Sequence, residues 1–151
     1  MQYRRYKPED FAELYAVEEA CFEAPFRFSR GALRSMLESA DTAAWVAEAE
    51  DALAGFAVAD WGLARGGTIA YLQTIEVLAQ WRGQGVAAEL LQRAEESVRE
   101  AGAGALWLHV DSENAAAIRL YERHGYVCEG RKERYYPKGR AALIYAKGLA
   151  S

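Results

Sequence analysis

Cysteine and proline are scarce in this chain of 151 residues, long apolar runs are missing, and positive charge is in deficit. The two cysteines, Cys21 and Cys128, stand far apart. Neither has a second Cys or a His at metal-ligand spacing, which argues against a metal site and predicts two buried free thiols. Only Pro8, Pro25 and Pro137 punctuate the chain, and no repeat or low-complexity stretch divides it. No segment is apolar for long enough to cross a bilayer, and the N-terminus, MQYRRYKPED, turns charged at once. The expectation is a cytoplasmic protein with no membrane partner. A formal charge of −4 and a pI near 5.3 leave no broad basic face for a nucleic-acid partner. The one basic cluster, Arg131, Lys132, Arg134, Lys138 and Arg140, reads as a solvated hairpin.

What is present is enough apolar residue, 52%, for one domain spanning 1–151 around a single core. YRRY reads as a first strand, and PEDFAELYAVEEACF as a helix with Phe11, Leu14, Tyr15 and Val17 inward. Ser29 is placed to cap a second helix carrying Leu33, Met36 and Leu37. AAWVAEAE, LAGFAVADWGLA and TIAYLQTIEVL then read as an antiparallel meander. A helix over 83 to 101, with Val86, Leu90, Ala94 and Val98 in one stripe, leads to the strand ALWLHV. A helix from about Asn114 to His124, closed by Gly125, precedes a hairpin of YVCEGRKERYY and AALIYAKGL. Antiparallel strands with one β-α-β crossover define a mixed α/β sheet.

The stretch QWRGQGVAAELL puts two glycines directly before a helix, where backbone N–H groups and the helix dipole grip phosphate. GQGVAA also fits the dinucleotide fingerprint G-x-G-x-x-G/A. That fingerprint needs its first glycine directly after a strand and an acidic residue about 20 positions on. Here LAQWR intervenes, the next strand-end acid is Asp111, and no second mononucleotide half follows. No Gly-Lys-Ser/Thr follows either, so a P-loop fails. A turn that merely lets the helix pack is the plain structural reading.

As a whole this stretch resembles motif A, Q/R-x-x-G-x-G/A, of the GNAT superfamily of acyl-CoA-dependent N-acyltransferases, with Arg82, Gly85 and Ala87 in its three positions. The resemblance implies a mostly antiparallel sheet splayed between its fourth and fifth strands, with flanking helices. It also implies acetyl-CoA as co-substrate, held by Arg82, Gly83, Gln84, Gly85, Val86 and Ala87 together with Ile75 and Val77. LWLHVDSENAAAIRLYERHGY resembles a second, more specific family segment, N-x-x-A-x-x-L/F-Y-x-x-x-G-F/Y, through Asn114, Ala117, Tyr121, Gly125 and Tyr126. In the family the Asn contacts the coenzyme and the Tyr protonates the departing thiolate, so Asn114 and Tyr121 inherit those roles as expectations.

That segment and RYYP are similar to protein N-terminal acetyltransferases of the RimI and NatE types. RimI-type enzymes usually carry Glu where this chain has His109. The NatE type has LHV at that strand and a Tyr matching Tyr71, which implies a Tyr71/His109 pair as base. Independently, an imidazole with a pKa near 6.5 suits removal of a proton from an amine. His109 alternates with Leu108 and Val110, so it can face a cleft. Glu76 is the competing base, with a solvated strand-end carboxylate as its plainer reading. Phe22, Pro25 and Phe26 resemble the family's proline-aromatic loop around the first residue of the substrate. Tyr135 and Tyr136 match a pair that contacts the substrate backbone. Arg140 and Ala141 stand where RimI-like chains often carry an acidic pair, a departure from their ribosomal-protein specificity.

The expected function is transfer of acetyl from acetyl-CoA to a primary amine, the N-terminal α-amine of a protein or peptide, by direct attack. The alternatives are a small-molecule amine acetyltransferase acting on a polyamine, amino acid or antibiotic, and a non-catalytic acyl-CoA sensor.

Overall fold

A computed structural model describes residues 1–149, so the last two residues of the predicted domain lie outside the described residues. Seven strands, β1 (Gln2–Arg5), β2 (Thr42–Ala49), β3 (Ala52–Ala64), β4 (Gly67–Val77), β5 (Ala105–Asp111), β6 (Val127–Lys132) and β7 (Ala142–Gly148), form one sheet in the order β1-β2-β3-β4-β5-β7-β6. Only β4 and β5 run parallel. Helices α1 (Phe11–Cys21), α2 (Arg30–Glu38), α3 (Val86–Glu100) and α4 (Ala115–Arg123) cover the sheet.

Side-chain alternation along the strands sorts these helices onto two faces. Val46, Phe56 and Val58 pack with Phe11, Leu14 and Leu33 of α1 and α2. Ala59, Leu72, Leu106 and Leu108 pack on the other face with Leu91 and Val98 of α3 and Tyr121 of α4. The expected inward residues of α1 and the expected stripe of α3 are all buried. Ser29 caps α2 by accepting the Ala32 N–H at 3.1 Å.

Two irregularities shape the centre of the sheet. The β4–β5 ladder is confined to Ala70, Leu72 and the residue between them, opposite Leu106 to Leu108, although both strands continue, so they splay beyond that point. Opposite β3, Val58 pairs with Thr74 and Ala59 with Leu72, which leaves Gln73 as an extra residue, a β-bulge. The bulge reverses the alternation. Thr74 and Glu76 thereby join Tyr71 on the α1 face, while Ile75 and Val77 turn toward α3.

Several local expectations need correction. Cys128 is exposed and Cys21 only half-buried; β6 is an edge strand whose residues are almost all exposed, so its cysteine has nothing to sink into. The helix expected from 83 starts at Val86, because Gly83 and Gly85 hold φ of 76° and 83°. The strand expected to run to Tyr136 ends at Lys132, short of Arg134 at φ 53°. The first helix begins as a 3₁₀ turn, Pro8–Asp10, before becoming α-helical at Phe11. No helix among the described residues is long and apolar enough to cross a membrane.

Candidate active site

At the N-terminus of α3 the chain leaves a row of donors unused. Among the described residues, no acceptor meets the backbone N–H groups of residues 83 to 88. Left-handed φ values at Gly83 and Gly85 aim this turn outward, and a Cβ on either glycine would meet nothing within 4 Å. The turn opens into a cleft of about 580 Å³ between the ends of β4, α3 and α4. Arg82, Arg119 and Arg123 also line it, and its one acidic wall residue is the buried Glu76. Free N–H groups, a helix N-terminus and three guanidinium groups together fit the phosphates of a coenzyme. Arg82 is anchored rather than loose. Its Nε donates to the Val77 carbonyl at 2.8 Å and its Nη2 lies 3.7 Å from Cys21 Sγ.

Ile75 and Val77 stand in the opposite wall of this cleft, with Asn114 and Tyr121 from the α4 side. The Asn114 side chain accepts the Ala117 N–H at 3.1 Å, which makes it the cap of α4 as well as a wall residue. Tyr121 is 7% exposed and packs edge-on against Tyr126. Burial, then the neighbouring Tyr136, raises its pKa, so its hydroxyl keeps its proton throughout the physiological range. Gln84 is exposed, its side chain turned back onto the Gln80 carbonyl at 3.2 Å.

Where β4 and β5 begin to part, Tyr71 Oη and His109 Nδ1 lie 2.6 Å apart. Tyr135 stacks on the His109 ring with centroids 4.5 Å apart and planes within 6°. Tyr136 meets Tyr135 edge-on at 4.9 Å, so aromatic rings run from Tyr71 to Tyr136, the residue that neighbours Tyr121. Burial raises the Tyr71 pKa and also lowers that of His109, which Lys132 depresses further. The pair is therefore a neutral phenol beside a neutral imidazole. In either tautomer it keeps one free lone pair: on Nε2 when Nδ1–H donates to Tyr71, or on Oη when Tyr71 donates to Nδ1.

Glu76 is not the solvated carboxylate expected of it. It is 3% exposed and lies beside Glu18 of α1, which is fully buried. Thr74 Oγ1 donates to Glu76 Oε2 at 2.7 Å, and Glu18 Oε2 accepts the Phe28 N–H at 2.9 Å. The other oxygen of each carboxyl has no further partner. Burial, then Glu18, pushes the Glu76 pKa well up, so Glu76 holds a proton and shares it with Glu18.

The proline-aromatic loop does not form one wall. Phe22 lines the coenzyme cleft, Pro25 is exposed, and Phe26 lies under the cations of the β6–β7 hairpin, 5.0 Å from the Arg140 guanidinium and 5.7 Å from Lys138 Nζ. Lys138 also reaches Glu23 at 3.4 Å, so the α1–α2 loop and the hairpin touch. The sequence reading missed Glu18, Arg119 and Arg123. Glu18 had a visible signal, since its spacing from Phe11, Leu14 and Tyr15 puts a carboxylate on the buried helix face.

This geometry is that of an acyl-CoA N-acyltransferase, and the chain belongs to the acetyltransferase (GNAT) family, whose model matches residues 11–126. It is an acetyl-CoA-dependent N-acetyltransferase. N-alpha-acetyltransferase 30 of Schizosaccharomyces pombe is 31% identical over 102 residues, 67% of this chain and 68% of that protein. Streptothricin acetyltransferase of Streptomyces lavendulae is 37% identical over 100 residues, 66% of this chain but only 52% of its own length. The crystal structure of the ribosomal-protein-S18-alanine N-acetyltransferase from Escherichia coli superposes with a TM-score of 0.87 at 25% identity, covering 99% of this chain and 94% of that one.

Proposed function

We propose that the acceptor is the N-terminal α-amine of a protein or peptide, deprotonated by the Tyr71/His109 pair while Tyr121 protonates the departing thiolate. The observation that carries this is the 2.6 Å Tyr71–His109 contact at the point where β4 and β5 separate. Acetyl-CoA supplies the thioester carbonyl. Residues 83 to 88 hold its phosphates and Asn114 lines its path, while Ile75 and Val77 wall the cleft. An amine attacks only when neutral. Neutralising a peptide α-amine at pH 7 costs about 1 kcal/mol, against roughly 4–5 kcal/mol for a lysine side chain. The imidazole takes up the remaining proton, directly, through a water, or by relay as Tyr71 Oη accepts it while passing its own proton to His109 Nδ1. Tyr135 and Tyr136 flank the place where that chain end lies, with Phe26 across the gap.

The likeness to N-alpha-acetyltransferase 30 supports a protein acceptor. The likeness to streptothricin acetyltransferase supports the second reading, a small amine. Acetyl transfer measured on free N-terminal peptides, N-terminally blocked lysine peptides and polyamines separates the two. The expected result is clear preference for free N-termini. Equal rates on blocked lysine peptides, or fast turnover of polyamines alone, would overturn the assignment. Glu76 takes no part as a base in this scheme, because its proton is bound and shared within a buried pair.

A further inference from the structure

We infer that the β6–β7 hairpin selects acidic peptide N-termini, with Lys132 and Arg134 meeting carboxylates just downstream of the residue that is acetylated. This rests on the peptide reading above and gives it a substrate class.

Residues 131 to 140 hold five cations and one carboxylate, a net +4 within a chain whose total is −4. Three of these cations are already engaged. Arg131 pairs with Glu133, Lys138 with Glu23 at 3.4 Å, and Arg140 with Asp111 at 2.8 Å and Glu113 at 3.9 Å. Lys132 and Arg134 are exposed and have no carboxylate partner among the described residues. Both precede Tyr135 in the sequence, on the strand side, and Tyr135 is the ring stacked on His109. Steps of 4.5 Å from the His109 ring to Tyr135 and 5.8 Å from there to Lys132 Nζ span two to three residues of extended chain. Acids at the second and third positions of a bound peptide therefore fall within reach. Just beyond them the hairpin tip is closed by the Tyr136 N–H bonded to the Arg140 carbonyl at 2.9 Å and tied through Lys138 to Glu23 across the gap.

The chemistry favours this sign of charge. An incoming ammonium is disfavoured beside Lys132, which helps it enter neutral, as attack requires. A carboxylate two residues on offsets that repulsion by pairing with the same cation. Basic residues at those positions compound it. Such pairing at an exposed rim is screened by salt, so the selectivity belongs to the second-order rate constant and fades at high ionic strength.

The test uses three peptide series with a common first residue and common C-terminal half, carrying Asp, Gln or Lys at the second and third positions. At low salt kcat/KM is expected to fall about tenfold from the Asp to the Lys series and to converge at high salt. The double reversal Lys132→Glu/Arg134→Glu is expected to invert the order, with its folding checked by thermal stabilisation on adding acetyl-CoA. Should that variant not fold, the salt dependence of the unaltered enzyme decides alone. Equal kcat/KM across the series, or a preference that ignores salt or survives the reversal, overturns the inference while leaving the peptide reading intact. Turnover of small amines with none of any peptide overturns both.

Discussion

At the proposed coenzyme side of the site the chain presents six unused backbone N–H groups, in the turn before α3 and in its first turn. At the proposed acceptor side it presents side chains, a phenol and an imidazole 2.6 Å apart under a stacked Tyr135. Backbone donors placed by glycines depend on φ alone and serve any ligand with the same phosphates. Side chains on β4, β5 and the β6–β7 hairpin depend on strand register and loop composition, and each can change without disturbing the coenzyme. The division explains how one frame can keep its donor while its acceptor varies among relatives.

Tyr121 stands where the two sides meet and tests the division most severely. Tyr121→Phe keeps the ring and removes the hydroxyl proposed to protonate the thiolate. A fall in kcat of about 10²–10⁴ is expected with acetyl-CoA affinity nearly unchanged by calorimetry. His109→Ala acts on the acceptor side alone. It is expected to lower kcat by about 10² and to shift the acid limb of the pH–rate profile toward that of the substrate amine. In the unaltered enzyme that limb should lie below the ordinary histidine range, because burial and then Lys132 lower the pKa and only the neutral ring accepts a proton. Full activity in both variants would remove the proposed proton path.

Gly85→Val probes the backbone side. At φ 83° a β-branched residue is strained by about 1–2 kcal/mol, and its side chain would project into the open space before the turn. Acetyl-CoA binding is expected to weaken at least tenfold, with the acid limb of the pH profile unmoved, since no atom of the Tyr71/His109 pair changes. A shift of that limb would show the two sides to be coupled.

The backbone side was the more legible in sequence for the same reason. A turn of glycines before a helix, and Asn114 to Tyr126 along α4, are local patterns that survive being read one residue after another. The bulge at Gln73 is not local, because it exists only in the pairing of β4 with β3. It puts Glu76 on the face covered by α1, beside Glu18, whereas its place near the strand end was all that the sequence offered for reading it as solvated. The exposure of Cys128 likewise follows from β6 lying outside β7 at the sheet edge, a matter of strand order. The fold class needed only the alternation of elements, and the splay followed from family resemblance.

Glu76→Gln gives the smallest effect and the finest discrimination. A Gln side chain can accept from Thr74 through its carbonyl and donate to Glu18 through its amide, so the buried geometry is preserved without a titrating group. In the parent the Glu76 pKa is raised above its unfolded value of about 4.3. Its contribution to stability is thus fully present below that unfolded value and is lost as pH rises through the raised folded one. The variant has no such loss. Its Tm relative to the parent should rise between pH 5 and pH 8 in thermal melts, while kcat stays within about threefold, against the 10²–10⁴ expected for removal of a general base. A collapse of kcat on that scale, with Tm unaltered across the same range, would transfer the base from His109 to Glu76 and move the acceptor chemistry into the coenzyme cleft.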